Sequence, residues 1–116
     1  MVLKVLHNGD CSKSRAILEY LDENEVQFEV IDIINDPLTV QELEALLKKL
    51  NLTVNDIIRK NDKFFKENFA NKNLTDEDLL KVLSENPSLL QRPILIKGSV
   101  AMIGRPLENV KFFIDK

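Results

Sequence analysis

Apolar residues recur along this chain with two periods, and the switches between them mark its elements. Val2, Leu3, Val5 and Leu6 form a short apolar run that reads as a strand covered on both faces. Asn8-Gly9-Asp10 is turn chemistry. From Ser12 the spacing becomes helical, with Ser14, Ile17, Leu18 and Leu21 on one face, and the polar stretch Asp22 to Glu25 ends it. Val26 to Ile33 then alternates with a period near two, which predicts a second strand. Strand, helix and strand in so short a stretch make a βαβ unit, whose right-handed crossover sets the two strands parallel.

The middle of the chain is helical. One start signal recurs at Thr39 with Glu42, Thr53 with Asp56, and Thr75 with Asp78. Each threonine is an N-cap with an acidic residue three positions on. Each is also flanked by an apolar pair (Leu38 and Leu43, Leu52 and Ile57, Leu74 and Leu79), the pattern of a capping box with a hydrophobic staple. The helix after Thr39 should bury Val40, Leu43, Leu47 and Leu50, and the one after Thr75 should bury Leu79, Leu80 and Leu83. Phe64, Phe65 and Phe69 supply aromatic packing between them. Asn86-Pro87 breaks the helical run. Residues 93–97 and 100–103 are then apolar strands joined by Gly98-Ser99, a connection short enough to demand an antiparallel hairpin. Pro106 suits the start of a last helix, with Val110, Phe113 and Ile114 on its buried side. The order predicts an α/β, thioredoxin-like fold with a mixed four-stranded sheet: β-α-β, a helical insert, then β-β-α. A single domain is expected over residues 1–116, with the insert at about 37–90.

Composition narrows the function. Hydrophobic residues make up 44% and charged residues 30%, which fits a globular protein. A net charge of −3 argues against direct nucleic-acid binding, which needs a cationic surplus. No signal peptide or membrane span is expected, and a cytoplasmic location fits. With one cysteine, Cys11, an internal disulfide is impossible, so sulfur redox chemistry must recruit its second thiol from outside.

Cys11 falls where the first strand gives way to the first helix. Unpaired N–H groups and the helix dipole favour negative charge there, so its thiol should ionise more readily than a free cysteine of pKa about 8.5. The same turn can hold an oxyanion beside the sulfur. A buried structural cysteine is the alternative. Arg92 and Arg105 each precede a proline, which holds their backbone extended. With Arg59 they are either solvated surface arginines or members of an anion site, and only convergence on Cys11 separates the two. Read from the residues alone, His7 is a strand-end histidine and Ser14 steadies the first helical turn. No metal-ligand cluster or glycine-rich phosphate loop is visible.

The stretches His7-Asn8-Gly9-Asp10-Cys11-Ser12-Lys13-Ser14-Arg15, Ile58-Arg59-Lys60-Asn61, Gln91-Arg92-Pro93-Ile94 and Gly104-Arg105-Pro106 resemble the glutaredoxin-coupled arsenate reductase family from end to end. The resemblance implies that Cys11 is the nucleophile and that Arg59, Arg92 and Arg105 bind the oxyanion. It implies that His7 helps keep the thiol ionised, that Ser14 is linked to the thiolate, and that Pro93 is a cis-proline. Arsenate or a similar oxyanion would be the substrate, glutathione the reductant and glutaredoxin the partner, with no bound cofactor. One departure is that the family commonly has proline after the His-Asn pair, where this chain has Gly9 and then Asp10. A carboxylate beside the nucleophile raises the thiol pKa and competes with an anionic substrate unless it points away or pairs with Lys13 or Arg15. Two other readings share the fold. One is a transcriptional regulator similar to the Spx proteins, which bind RNA polymerase and use a Cys-x-x-Cys switch; this chain has Ser14 at the second position. The other is a glutathione-dependent thiol reductase without arsenate activity, which retention of all three arginines disfavours.

Overall fold

The computed structural model describes residues 3–7, 12–104, 110 and 113, with the side chains of 12–14 outside the description. In chain order the elements are β1 (Leu3–His7), α1 (Ser12–Glu23), β2 (Phe28–Asp32), α2 (Val40–Leu50), α3 (Val54–Ile57), α4 (Lys63–Asn68), α5 (Asp76–Glu85), a 3-10 turn (Pro87–Leu89), β3 (Ile94–Lys97) and β4 (Val100–Ile103). The sheet runs β2-β1-β3-β4, with β1 and β2 parallel and the β1–β3 and β3–β4 pairs antiparallel. This is the mixed four-stranded sheet that the element order predicts. Val110 and Phe113 are helical, and the remainder of the expected last helix lies outside the described residues.

Strand alternation sorts the core into two layers. Leu3, Val5 and Leu95 face Ile17 and Leu21 of α1 and Val110. Leu6, Ile94 and Ala101 face the helices of the insert, where Leu43, Leu46, Ile57, Leu79, Leu80 and Leu83 pack. Burial of β1 on both faces explains why its apolar run does not alternate with polar residues. The buried stripe of α2 is Leu43, Leu46 and Leu50, with Val40 and Leu47 only partly buried, so the helix is turned from the expected face. Its end is set by Asn51, whose left-handed φ of 57° lets its N–H reach the Leu47 and Lys48 carbonyls. In α5, Val82 joins the expected leucines. Of the three phenylalanines, Phe65 is buried, Phe69 stacks against both others, and Phe64 is largely exposed.

The helix starts at Thr39 and Thr75 form as reciprocal boxes. The hydroxyl of Thr39 accepts from Glu42 N–H at 3.1 Å while Thr39 N–H donates to Glu42 at 3.0 Å, and the Thr75–Asp78 pair does the same at 3.2 and 3.0 Å. Thr53 differs. Its N–H and its hydroxyl both donate to Asp56 Oδ2 at 3.0 Å, and Asp56 N–H goes to the Thr53 carbonyl instead. A single-turn helix closes through that backbone bond, which leaves the hydroxyl no N–H to accept. Leu52, expected to staple this start, is exposed. Alanine at Thr39 or Thr75 should therefore cost roughly 1 kcal/mol in urea unfolding, and alanine at Thr53 clearly less.

The hairpin loop places Gly98 (φ 65°) at its first position, where a type II′ turn requires positive φ. Gly104 is confined for a different reason: a Cβ there would sit 2.7 Å from Leu95 Cδ1 and 3.2 Å from Pro93 Cγ. Leu95 is fully buried and has little room to retreat. Gly104→Ala should lower stability by about 1–3 kcal/mol, seen as a melting point several degrees lower.

Candidate functional site

One end of the sheet gathers several of the residues singled out from the sequence. Leu6 lies opposite Ile94, and Ile94 opposite Ile103, so His7, Pro93 and Gly104 continue from paired positions at the same end. Gly104 N–H donates to the Pro93 carbonyl at 2.8 Å. The Arg92–Pro93 bond is cis, as the resemblance implies.

The insert returns to this end through a short backbone ladder. Arg59 N–H donates to the Leu89 carbonyl and Gln91 N–H to the Ile57 carbonyl, both at 2.7 Å, with Ile58 bridged to Leu90. That ladder brings Arg59 beside Arg92, residues far apart in the chain. Arg92 Nη1 donates to the Ser88 carbonyl at 2.6 Å and to the Leu90 carbonyl at 3.3 Å. Arg59 Nη1 reaches the same Ser88 carbonyl at 3.4 Å. One backbone oxygen thus gathers two guanidiniums, whose mutual repulsion favours an anion between or above them.

Their environments differ. Arg92 is only 9% exposed, so the solvated-surface alternative fails for it. Arg59 is half-buried and pairs with Asp62 at 3.7 Å, while Asp62 also caps α4 by accepting from Phe64 N–H at 2.9 Å. An ion pair this exposed contributes little energy, but it fixes the direction in which Arg59 leaves the backbone.

His7 ends β1 half-buried, and its carbonyl accepts from Ile33 N–H at 3.1 Å. Its Nδ1 is buried and has no hydrogen-bond partner among the described residues. Opposite it is Asp32, a residue that the sequence reading passed over although its Asp-x-x-Asn spacing is a turn signature. Asp32 Oδ1 accepts from Ile34 and Asn35 N–H at 2.9 and 3.2 Å, and Oδ2 from the Asn35 amide at 2.7 Å. The Asn35 and Ile34 backbone donors hold its carboxyl below the usual aspartate range, with His7 a minor contributor. Ser88 was also missed, because its part is played by a backbone oxygen that no side-chain pattern advertises. Cys11 and Arg105 lie outside the described residues, as does the side chain of Ser14.

The model of the ArsC family matches residues 6–113 of this chain. The chain belongs to the ArsC family. An arsenate reductase of Neisseria meningitidis is 38% identical over 111 residues, covering 94% of this chain and 95% of that protein. The solved structure of an arsenate reductase from Vibrio cholerae superposes with a TM-score of 0.89 at 33% identity, covering 97% of each chain. The global transcriptional regulator Spx of Enterococcus faecalis is 29% identical over 116 residues, covering 99% of this chain and 88% of that protein. Both the thioredoxin-like fold and the kinship with reductases and Spx regulators therefore agree with the sequence reading. Among the described residues of this ArsC chain, no helix is long and apolar enough to cross a membrane.

The depressed carboxyls have a measurable consequence for stability. Asp32, Asp56 and Asp78 are each held below the ordinary value of 3.8, the latter two first by the N–H of the threonine they cap. A carboxyl whose folded pKa is depressed stabilises the fold above its unfolded pKa, and that contribution is lost as pH falls through the folded value. Asp→Asn at any of the three should thus lower stability at pH 7, and the gap from the parent chain should close as the pH falls below 3.8. Urea unfolding at a series of pH values checks this, and a gap that widens on acidification would contradict it.

Proposed function

We propose that this chain is a glutathione- and glutaredoxin-dependent arsenate reductase acting through Cys11, His7 and Ser14, with Arg59, Arg92 and Arg105 binding the oxyanion. The observation that carries the reading is the pairing of Arg59 and Arg92 on the Ser88 carbonyl. It lies at the sheet end reached by His7, which precedes Cys11 in the chain, and by Gly104, which precedes Arg105. Similarity to named arsenate reductases supports the substrate.

Arsenate must be neutralised before a thiolate can approach it, and guanidinium forks do so bidentately where lysine is a point charge. The Cys11 thiolate attacks arsenic, an As–O bond breaks, and water leaves after protonation, giving a thiol-arsenate adduct. Glutathione thiolate then attacks the Cys11 sulfur. The S–As bond breaks with its electron pair going to arsenic, so As(V) becomes As(III) and arsenite departs. Cys11 is left in a mixed disulfide with glutathione. A glutaredoxin thiol attacks the glutathione sulfur and frees Cys11. Two thiols are oxidised for each arsenate reduced, and both come from outside because the chain has no second cysteine.

The test is NADPH consumption by purified protein with arsenate, glutathione, glutaredoxin and glutathione reductase, and turnover that depends on the protein is the expected result. An absence of turnover together with copurification of RNA polymerase would instead assign the chain to the regulators.

A further inference from the structure

Toward the hairpin end of the sheet, a groove of about 410 Å³ opens between α2 and the strands, within the size range of small-molecule sites. Its floor is apolar: Leu6 and Leu46 are buried, and Ile31 and Ile96 are partly so. Lys4 and Lys49 stand at its sides. Neither ammonium group makes an ion pair or hydrogen bond with any described residue. Lys4 pairs in register with Ile96, toward the hairpin loop, whereas the arginines lie beyond Ile94 at the other end of β3. The groove is therefore separate from the oxyanion site.

We infer that this groove binds a small amphipathic monoanion, a single carboxylate or sulfonate on an apolar body. The apolar floor gains from covering an aliphatic or aromatic body at about 25 cal/mol per Å², and the two ammonium groups fit an anionic head. The charge count favours one negative charge over two. Glu42 also lines the groove, with its carboxylate held by Thr39 N–H at 3.0 Å, so two lysines and one glutamate leave a single surplus positive charge. The opening itself depends on a small side chain, since Ala45 is exposed on the α2 wall, one helical turn before Lys49. A free oxyanion lacks the apolar body and a neutral alcohol lacks the head, so both should bind poorly.

The experiment is an amide NMR titration of the full chain with sodium octanoate, octan-1-ol and sodium acetate. Octanoate should shift the amides of Leu6, Ile31, Leu46 and Ile96 saturably and bind at least tenfold more tightly than octanol or acetate. The Lys4→Gln/Lys49→Gln double variant should weaken octanoate at least tenfold, and Ala45→Phe should fill the groove and abolish the shifts. Both variants change exposed or partly exposed positions, and melting curves check that they fold. Should Ala45→Phe fail to fold, the lysine pair alone decides. No saturable shift at these amides with millimolar octanoate, equal affinity for octanol, or binding unchanged in the folded variants overturns the inference.

Discussion

Replacing Cys11 with serine should reduce arsenate turnover by roughly 10³-fold or more, to the background of glutathione alone. The reason is chemical rather than steric. A thiolate is the nucleophile, whereas a serine hydroxyl is not ionised near neutral pH and cannot form a disulfide with glutathione. No second cysteine is present to take over. The same variant should lose labelling by iodoacetamide and should no longer form a mixed disulfide with glutathione, both visible by mass spectrometry. Its melting point should stay close to the parent's, since the exchange is nearly isosteric. Appreciable residual turnover in Cys11→Ser would place the chemistry elsewhere and overturn the mechanism.

Arg92→Ala should lower kcat/KM for arsenate by roughly 10²–10³-fold, the scale for losing one preorganised donor to developing negative charge. This variant also carries a structural cost. Arg92 is buried, and its Nη1 donates to the Ser88 and Leu90 carbonyls. Removing it takes that donor from both oxygens, a loss of about 1–3 kcal/mol. Arg92→Lys separates the two effects. An ammonium keeps the charge and can still meet a carbonyl, so much of the stability should return, but it lacks the planar fork and arsenate KM should stay high. Recovery of both properties in Arg92→Lys would reduce Arg92 to a structural cation. Arg59→Ala should show the smaller stability loss of the two, because Arg59 is half-buried and its contacts with Asp62 and Ser88 are longer.

Much of this architecture was legible in one dimension because the signals involved are local. The period-two run falls on β2, the continuous apolar runs fall on β3 and β4, the capping pairs at Thr39 and Thr75 start α2 and α5, and a two-residue loop with glycine first forces the hairpin. The rotation of α2 was misread for the same reason. Val40, Leu43, Leu47 and Leu50 make as regular a stripe as Leu43, Leu46 and Leu50, and the packing of the insert against the sheet chooses between them. Helix α4 was not foreseen at all, since its aromatic residues gave no clean period and its start depends on Asp62.

The candidate site divides along the same line. Residue chemistry alone singled out Cys11 and raised an anion site for the three arginines, because forked cations suit an oxyanion and a thiol redox step needs a cysteine, whereas the roles of His7 and Ser14 came with the family resemblance. It could not say which arginines meet. Only the folded chain brings Arg59 to Arg92, through a ladder between Ile57–Arg59 and Leu89–Gln91 and one shared carbonyl at Ser88. Contacts between distant segments depend on the whole core forming at once, and no short stretch of sequence carries that information.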